Sequence, residues 1–262
     1  MPESGFNVNI CTHPADARAA QEAGLPLCHL AYGIGAEGKL YRGSLGIDVR
    51  GGLLSVSDRD ISEGTPFDAE LTREIRRECD RRGFGGVLCD FEKPPNMFTT
   101  RFAYEAALYF SSLRMRFYLP EAFADAAPGA QLLISSAVTG GSYEETLRRA
   151  AFKYGAGRVA LLFEPVCIDF AMPAPRGNET VSPEHLEEIR AEHGAVVYFS
   201  HELCANYFTY RTTSGISRFA LFDDTRSMLR KLDVARHAGF HEAFVCWPDV
   251  SGVLDELVGL CV

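Results

Sequence analysis

The sequence predicts an α/β protein, a closed (β/α)8 (TIM) barrel, on three observations. Its 262 residues are close to the ~250 typical of that fold. Eight short apolar runs are separated mostly by segments of helical periodicity, the pattern of a parallel barrel. The fourth run, Gly85-Gly86-Val87-Leu88-Cys89-Asp90-Phe91-Glu92, ends in two carboxylates two residues apart. A strand's period of two places both on one face, which in a parallel barrel opens into the mouth at the carboxyl ends of the strands, where catalytic groups stand.

Taken in order, residues 6–11 alternate apolar and polar, lead into Thr12-His13-Pro14 and are followed by helix formers at 15–23, a strand and then a helix. Residues 27–34 predict the second strand, and Gly35 and Gly38 mark a tight turn after it. Gly33 to Lys39 fits the Gly-x-x-x-x-Gly-Lys spacing of a phosphate loop, but Leu40 replaces the required Ser or Thr and residues 41–44 start no helix. Nucleotide binding is therefore set aside. Residues 52–57 predict strand three, and the helix over 66–82 carries Leu71, Ile75 and Cys79 on one apolar face before Gly83 closes it.

After the Asp90/Glu92 strand comes a helix over 99–115 with Phe102, Ala106, Tyr109, Phe110 and Leu113 inward, a packing stripe rather than an aromatic site. Strands five, six and seven are predicted at 116–119, 131–138 and 158–163, with a helix at 143–154. The longest irregular part, 166–218, holds a helix near 183–193 and alternating segments at 195–200 and 206–211. An excursion of this kind usually shapes a site. A helix at 223–237 then leads to the eighth strand at 242–247, so residues 1–262 are expected to form one barrel domain.

Composition narrows the partners. The chain is 47% hydrophobic and 23% charged, with a net charge of -9 and a pI near 5.3. With no Lys/Arg cluster, these values argue against a nucleic-acid surface and suit an uncharged small molecule or glycan. No apolar run approaches the ~18 residues of a membrane span, and the opening Met1-Pro2-Glu3-Ser4-Gly5 lacks the basic start and apolar core of a secretory signal. A cytoplasmic protein without a membrane partner is the expectation.

Eight cysteines include no Cys-x-x-Cys pair and several lie in apolar runs, which points to reduced, buried thiols. The seven histidines form no ligand set, and neither a metal nor another cofactor is expected. His13 and His29 are the one pair that could meet at a barrel mouth. A metal hydrolase built on His13, His29 and Glu92 is accordingly the third reading of function.

These residues resemble the chitinase-like family 18 glycoside hydrolases, especially their bacterial spore-cortex members. The family's strand-four hallmark, Asp-Gly-x-Asp-x-Asp-x-Glu, is matched at Gly86, Asp90 and Glu92. His29-Leu30-Ala31-Tyr32 with Glu37-Gly38-Lys39-Leu40 is similar to the second strand and turn, and residues 53–57 to the third strand. Residues 207–210, 222–227 and 243–247 resemble later blocks in the same order.

The resemblance implies a substrate-assisted retaining hydrolysis of N-acetylhexosamine-containing glycans such as chitin or peptidoglycan, in which the acetamido oxygen of the sugar attacks the anomeric carbon. It makes Glu92 the acid, Asp90 the group that orients the acetamido, and Trp247 the aromatic floor under the sugar. It also admits a place in the spore. Glu121, Glu164 and Asp249 each follow a predicted strand and are expected at the mouth, and Tyr32, Tyr207 and Tyr210 are candidates for sugar contact. Gly85 and Leu88 replace the first two aspartates of the hallmark, and Ser135-Ser136-Ala137-Val138 lacks the family's phenol. Losing one such donor typically costs ~3 kcal/mol of transition-state stabilisation. A glycan-binding barrel that has lost turnover is thus the alternative.

Overall fold

Eight parallel strands close on themselves in the computed structural model, which describes residues 6–43, 49–173 and 179–260. The barrel strands are β1 (Asn7–Thr12), β2 (Leu27–Ile34), β4 (Leu53–Ser57), β5 (Gly86–Asp90), β6 (Arg116–Pro120), β7 (Gln131–Ser135), β8 (Val159–Leu162) and β14 (Glu242–Cys246). Closure is explicit, because β1 pairs in parallel with β2 on one side and with β14 on the other. A short β3 (Leu40–Arg42) folds back antiparallel on β2, with Gly38 at φ +72° in the turn. A Cβ at Gly38 would lie 2.1 Å from the Pro66 carbonyl oxygen, so the turn also needs the missing side chain.

The interior follows from the strand period. One residue from each strand fills it: Cys11, Cys28, Leu53, Leu88, Tyr118, Leu133, Ala160 and Phe244. Residues of opposite parity face outward and meet helices α1 (Ala17–Glu22), α2 (Glu70–Arg82), α3 (Met97–Ser112), α4 (Tyr143–Tyr154) and, after the excursion described below, α6 (Thr225–His237). Leu71, Ile75 and Cys79 of α2 are buried as their four-residue spacing predicts. In α3 the stripe of Phe102, Ala106 and Phe110 is buried, whereas Leu113, past the end of the helix, stays 42% exposed. Helix α3 starts two residues earlier than its apolar pattern suggests, because Asn96 and Thr99 cap each other reciprocally. The seven cysteines among the described residues are all free thiols, and Cys261 lies outside those residues. No helix among the described residues is long and apolar enough to cross a membrane.

The stretch expected to be largely irregular is instead a second sheet. Strands β9 (Cys167–Ala171), β10 (Glu179–Thr180), β11 (Tyr198–Ser200), β12 (Ala205–Arg211) and β13 (Ser217–Phe222) pair antiparallel in the order β10-β9-β13-β12-β11, with α5 (Pro183–Glu192) packed on them. Its first long strand is hard to see in the sequence because a charge interrupts it. That charge, Asp169, is 3% exposed and is matched only by distant residues, Arg218 at 2.8 Å and the Tyr210 hydroxyl at 2.6 Å.

Both ends of this second sheet are tied to the barrel at one buried ion pair. Lys231 of α6 donates to Asp223 at 2.6 Å with both side chains essentially inaccessible, and to the Ser136 carbonyl at 3.1 Å. Asp223 also accepts from the Val166 backbone and the Ser227 hydroxyl. Removing one partner of such a pair strands the other charge in the interior. Lys231→Ala is therefore expected to cost about 3–5 kcal/mol in urea unfolding, and Lys231→Met with Asp223→Leu much less; equal losses in the two proteins would refute the assignment.

Candidate active site

At the carboxyl end of the barrel a hollow of about 500 Å³ opens between the β1, β2, β4 and β5 loops. Gly86 starts the strand that supplies its chemistry, and only glycine fits there: a Cβ would stand 2.6 Å from the Arg116 carbonyl oxygen. From Gly86 the period of two sends Leu88 into the barrel interior and brings Asp90 and then Glu92 to the hollow. The residue beneath Asp90 is thus a leucine, and Cys246 and Leu30 complete an apolar floor.

That floor sets the electrostatics. Burial is the largest cause pushing the Asp90 carboxyl above its ordinary value, and the charges of Glu92, Asp58 and Glu164 add to the rise while Arg59 opposes it. Among the described residues no donor is hydrogen-bonded to the Asp90 carboxyl. Glu92 stands further out, 58% exposed, with one oxygen 2.9 Å from Arg59, itself 67% exposed. The same desolvation holds the Cys246 thiol up at about 12, so it stays protonated and unreactive.

The position of Glu92 is fixed from behind by a residue that its own strand does not supply. Asp58, wholly buried just after β4, accepts from the backbone N–H of Glu92 at 3.1 Å and of Lys93 at 3.2 Å. Lys93 returns the contact, its Nζ donating to the carbonyls of Arg59 and Ile61. The two loops therefore clasp each other, and a carboxylate from the neighbouring strand backs the site where the hallmark aspartates are missing. In sequence the sole trace of this is an acid one residue past a predicted strand end.

Tyr41 is the aromatic wall of the hollow. It lies across Gly33, where a Cβ would be 2.6 Å from its ring, and its hydroxyl donates to Asp60 at 2.6 Å. Nothing in a period-two reading of β2 points to Tyr41, since the hairpin through β3 is what folds it back.

The other expected residues are dispersed. Trp247 does not line the hollow; Cys246 does, so the next residue turns outward, opens the short helix α7 (Trp247–Val250) and packs half-buried on the outer core with α8 (Leu254–Leu260). Tyr32 contributes to the wall, but its hydroxyl donates outward to Glu78 of α2 at 2.6 Å, because β2 shifts register between His29 and Tyr32. Glu164 is exposed at the mouth and near enough to Asp90 to act on it. Glu121 accepts from Tyr154 at the end of α4 and is absent from the lining.

Tyr207 stacks on Phe219 at 5.1 Å within the second sheet, and Tyr210 is bound to Asp169 there. Asp249 lines a separate cleft beside Asp223, where burial raises its carboxyl. The triad of the metal reading is not assembled: His13 and Glu92 line the hollow, but His29 is buried against Phe84 with Nε2 3.1 Å from the Gly51 carbonyl. No group of three metal-binding side chains occurs among the described residues.

Asp90 is held above its unfolded value, so its ionisation costs stability in the folded protein. This cost is absent below the ordinary carboxylate range near ~4, grows as pH rises through the folded value, and is complete above it. Asp90→Asn should therefore raise the melting temperature at neutral pH and give no gain at pH well below that range. Thermal unfolding across a pH series measures this, and an equal gain at every pH would contradict it.

No family model matches the chain, and no curated protein matches it in sequence. Solved structures do match. The spore cortex-lytic enzyme SleL of Bacillus cereus aligns with TM-score 0.66 at 14% identity over 98% of this chain and 74% of that one. A chitinase from Chromobacterium violaceum aligns with TM-score 0.65 at 13% identity, covering 97% and 98%. A mutant class V chitinase from Nicotiana tobaccum in complex with NAG4 aligns with TM-score 0.60 at 10% identity, covering 98% and 97%. Eight parallel strands, the hollow at their carboxyl ends and these alignments together show that the chain has the barrel fold of the spore cortex-lytic enzyme and the chitinases with which it aligns.

Proposed function

We infer that the protein is a glycoside hydrolase of chitinase-like kind, acting on N-acetylhexosamine-containing glycans at the hollow. The observation that carries this reading is the pair Asp90, at the end of β5, and Glu92, two residues beyond it, lining one open hollow at the carboxyl end of a barrel that shares the chitinase fold. The NAG4 bound by the Nicotiana chitinase supports the choice of glycan.

In this mechanism Glu92 protonates the leaving oxygen, and Asp90 orients the acetamido group whose oxygen attacks the anomeric carbon. An ion pair is made by a carboxylate, whereas a proton donor must be a carboxylic acid. Arg59 therefore has to leave Glu92 when the sugar enters. Both side chains are more than half exposed, and such pairs are worth ~0–1 kcal/mol, so the exchange is cheap. Once Arg59 withdraws, the cation that opposes the raised proton affinity of Asp90 is gone from the hollow.

A second reading, a glycan-binding barrel without turnover, has its own support. The Arg59–Glu92 pair occupies the acid, and at the end of β7 the position expected to carry a phenol holds Ser136, whose hydroxyl is spent on the Glu164 backbone, and Ala137. Incubation with chitin oligomers and peptidoglycan fragments, read by mass spectrometry, separates the two. Hydrolysis lost by roughly 10²-fold or more in Glu92→Gln supports the enzyme; retained glycan with no Glu92-dependent product supports the binding protein. For the enzyme, Arg59→Ala should extend activity to higher pH, because it removes the cation that opposes the raised proton affinity of Asp90. An unchanged pH profile would exclude Arg59 from the site's electrostatics.

A further inference from the structure

A cavity of about 530 Å³ lies away from the hollow, between the edge of the second sheet and the outer face of α6, and the two share no lining residue. Helix α6 turns Met228, Lys231, Leu232 and Ala235 into the core. The spacing of three and four residues then places Arg226, Arg230 and Asp233 together on the opposite face, toward the cavity. From the sheet come Phe199, His201 and Asn206.

The charges do not balance. Asp233 is taken up by Arg230 at 3.0 Å and by Arg236 at 2.9 Å. Among the described residues Arg226 has neither an ion-pair nor a hydrogen-bond partner. Asn206 is 9% exposed and its Nδ2 is buried without an acceptor. That nitrogen is closed off from solvent, so the donors offered to the cavity are the two guanidiniums. With the apolar faces of Phe199 and Leu229 beside them, they describe the complement of an oxyanion attached to an apolar body. Guanidinium binds carboxylate and phosphate alike through paired N–H donors.

We propose that this cavity is a binding site for a small organic oxyanion, a carboxylate or a phosphate monoester, held by Arg226 and Arg230. The site is independent of the glycan reading, since none of its residues belongs to the hollow. Calorimetric titration at constant ionic strength with benzoate and phenyl phosphate, against uncharged benzamide, tests it and also tells the two anions apart.

Saturable binding of at least one anion and none of benzamide is expected, weakened roughly tenfold or more in Arg226→Ala, which removes a charged hydrogen bond. Arg226→Lys, which keeps the charge but not the paired N–H donors, should also weaken binding, and a merely cationic surface would not respond to it. Arg226 is exposed, so neither substitution disturbs the core. The proposal is overturned if neither anion saturates, if benzamide binds as well as benzoate, or if Arg226→Ala binds like the parent protein. None of these readouts involves turnover, so the result stands whichever way the glycan experiment falls.

Discussion

Closing eight parallel strands on themselves leaves room inside for side chains of one parity only on each strand, and this steric limit decides most of what the protein can do. It puts Leu88 in the interior and Asp90 above it, and it makes Cys246 rather than Trp247 face the mouth. A shift of one residue on any strand would exchange the core set for the helix-facing set. The bulge in β2 shows the effect locally: past the register change the Tyr32 hydroxyl reaches α2, and the aromatic wall is supplied by Tyr41 from the returning hairpin.

Two polar fasteners of different character hold the loops over this frame. The Lys231–Asp223 pair is dry, satisfied by additional backbone and hydroxyl contacts, and joins both ends of the second sheet to α6 and to the end of β7. Its removal would leave a lone charge in the core, so it acts as a fixed anchor. The Arg59–Glu92 pair is wet and weak, as exposed pairs are, although the backbone beneath it is firmly held by buried Asp58. A fixed backbone under an exchangeable side-chain contact is what a site needs if an entering ligand is to displace a protein group.

The apolar floor gives Asp90 its raised proton affinity where Leu88 stands in place of a hallmark aspartate. Leu88 withholds water from below, while Glu92 and Glu164 at the mouth and buried Asp58 behind it add negative charge. Desolvation and like charge act in the same direction on a carboxyl. The hollow therefore keeps one acid protonated to higher pH with fewer acids in line, at some loss in how tightly that acid is oriented.

The barrel itself was legible in the sequence. All eight strand positions, the apolar face of α2, and the opening of Asp90 and Glu92 onto one hollow follow from spacing alone, because a strand's period and a helix's period are local properties. What the second sheet is, and where Tyr207 and Tyr210 go, was not legible, since its buried Asp169 is matched only by residues 41 and 49 positions away, Tyr210 and Arg218. The surroundings of the acid pair were likewise hidden: Asp58 and Arg59 reach Glu92, and Tyr41 reaches the hollow, across loops, and no local pattern encodes which loop folds over which. Trp247 and His29 carry the lesson most plainly, for a residue type placed near a strand end says what chemistry is on offer, and the closed barrel alone decides which side of the wall it serves.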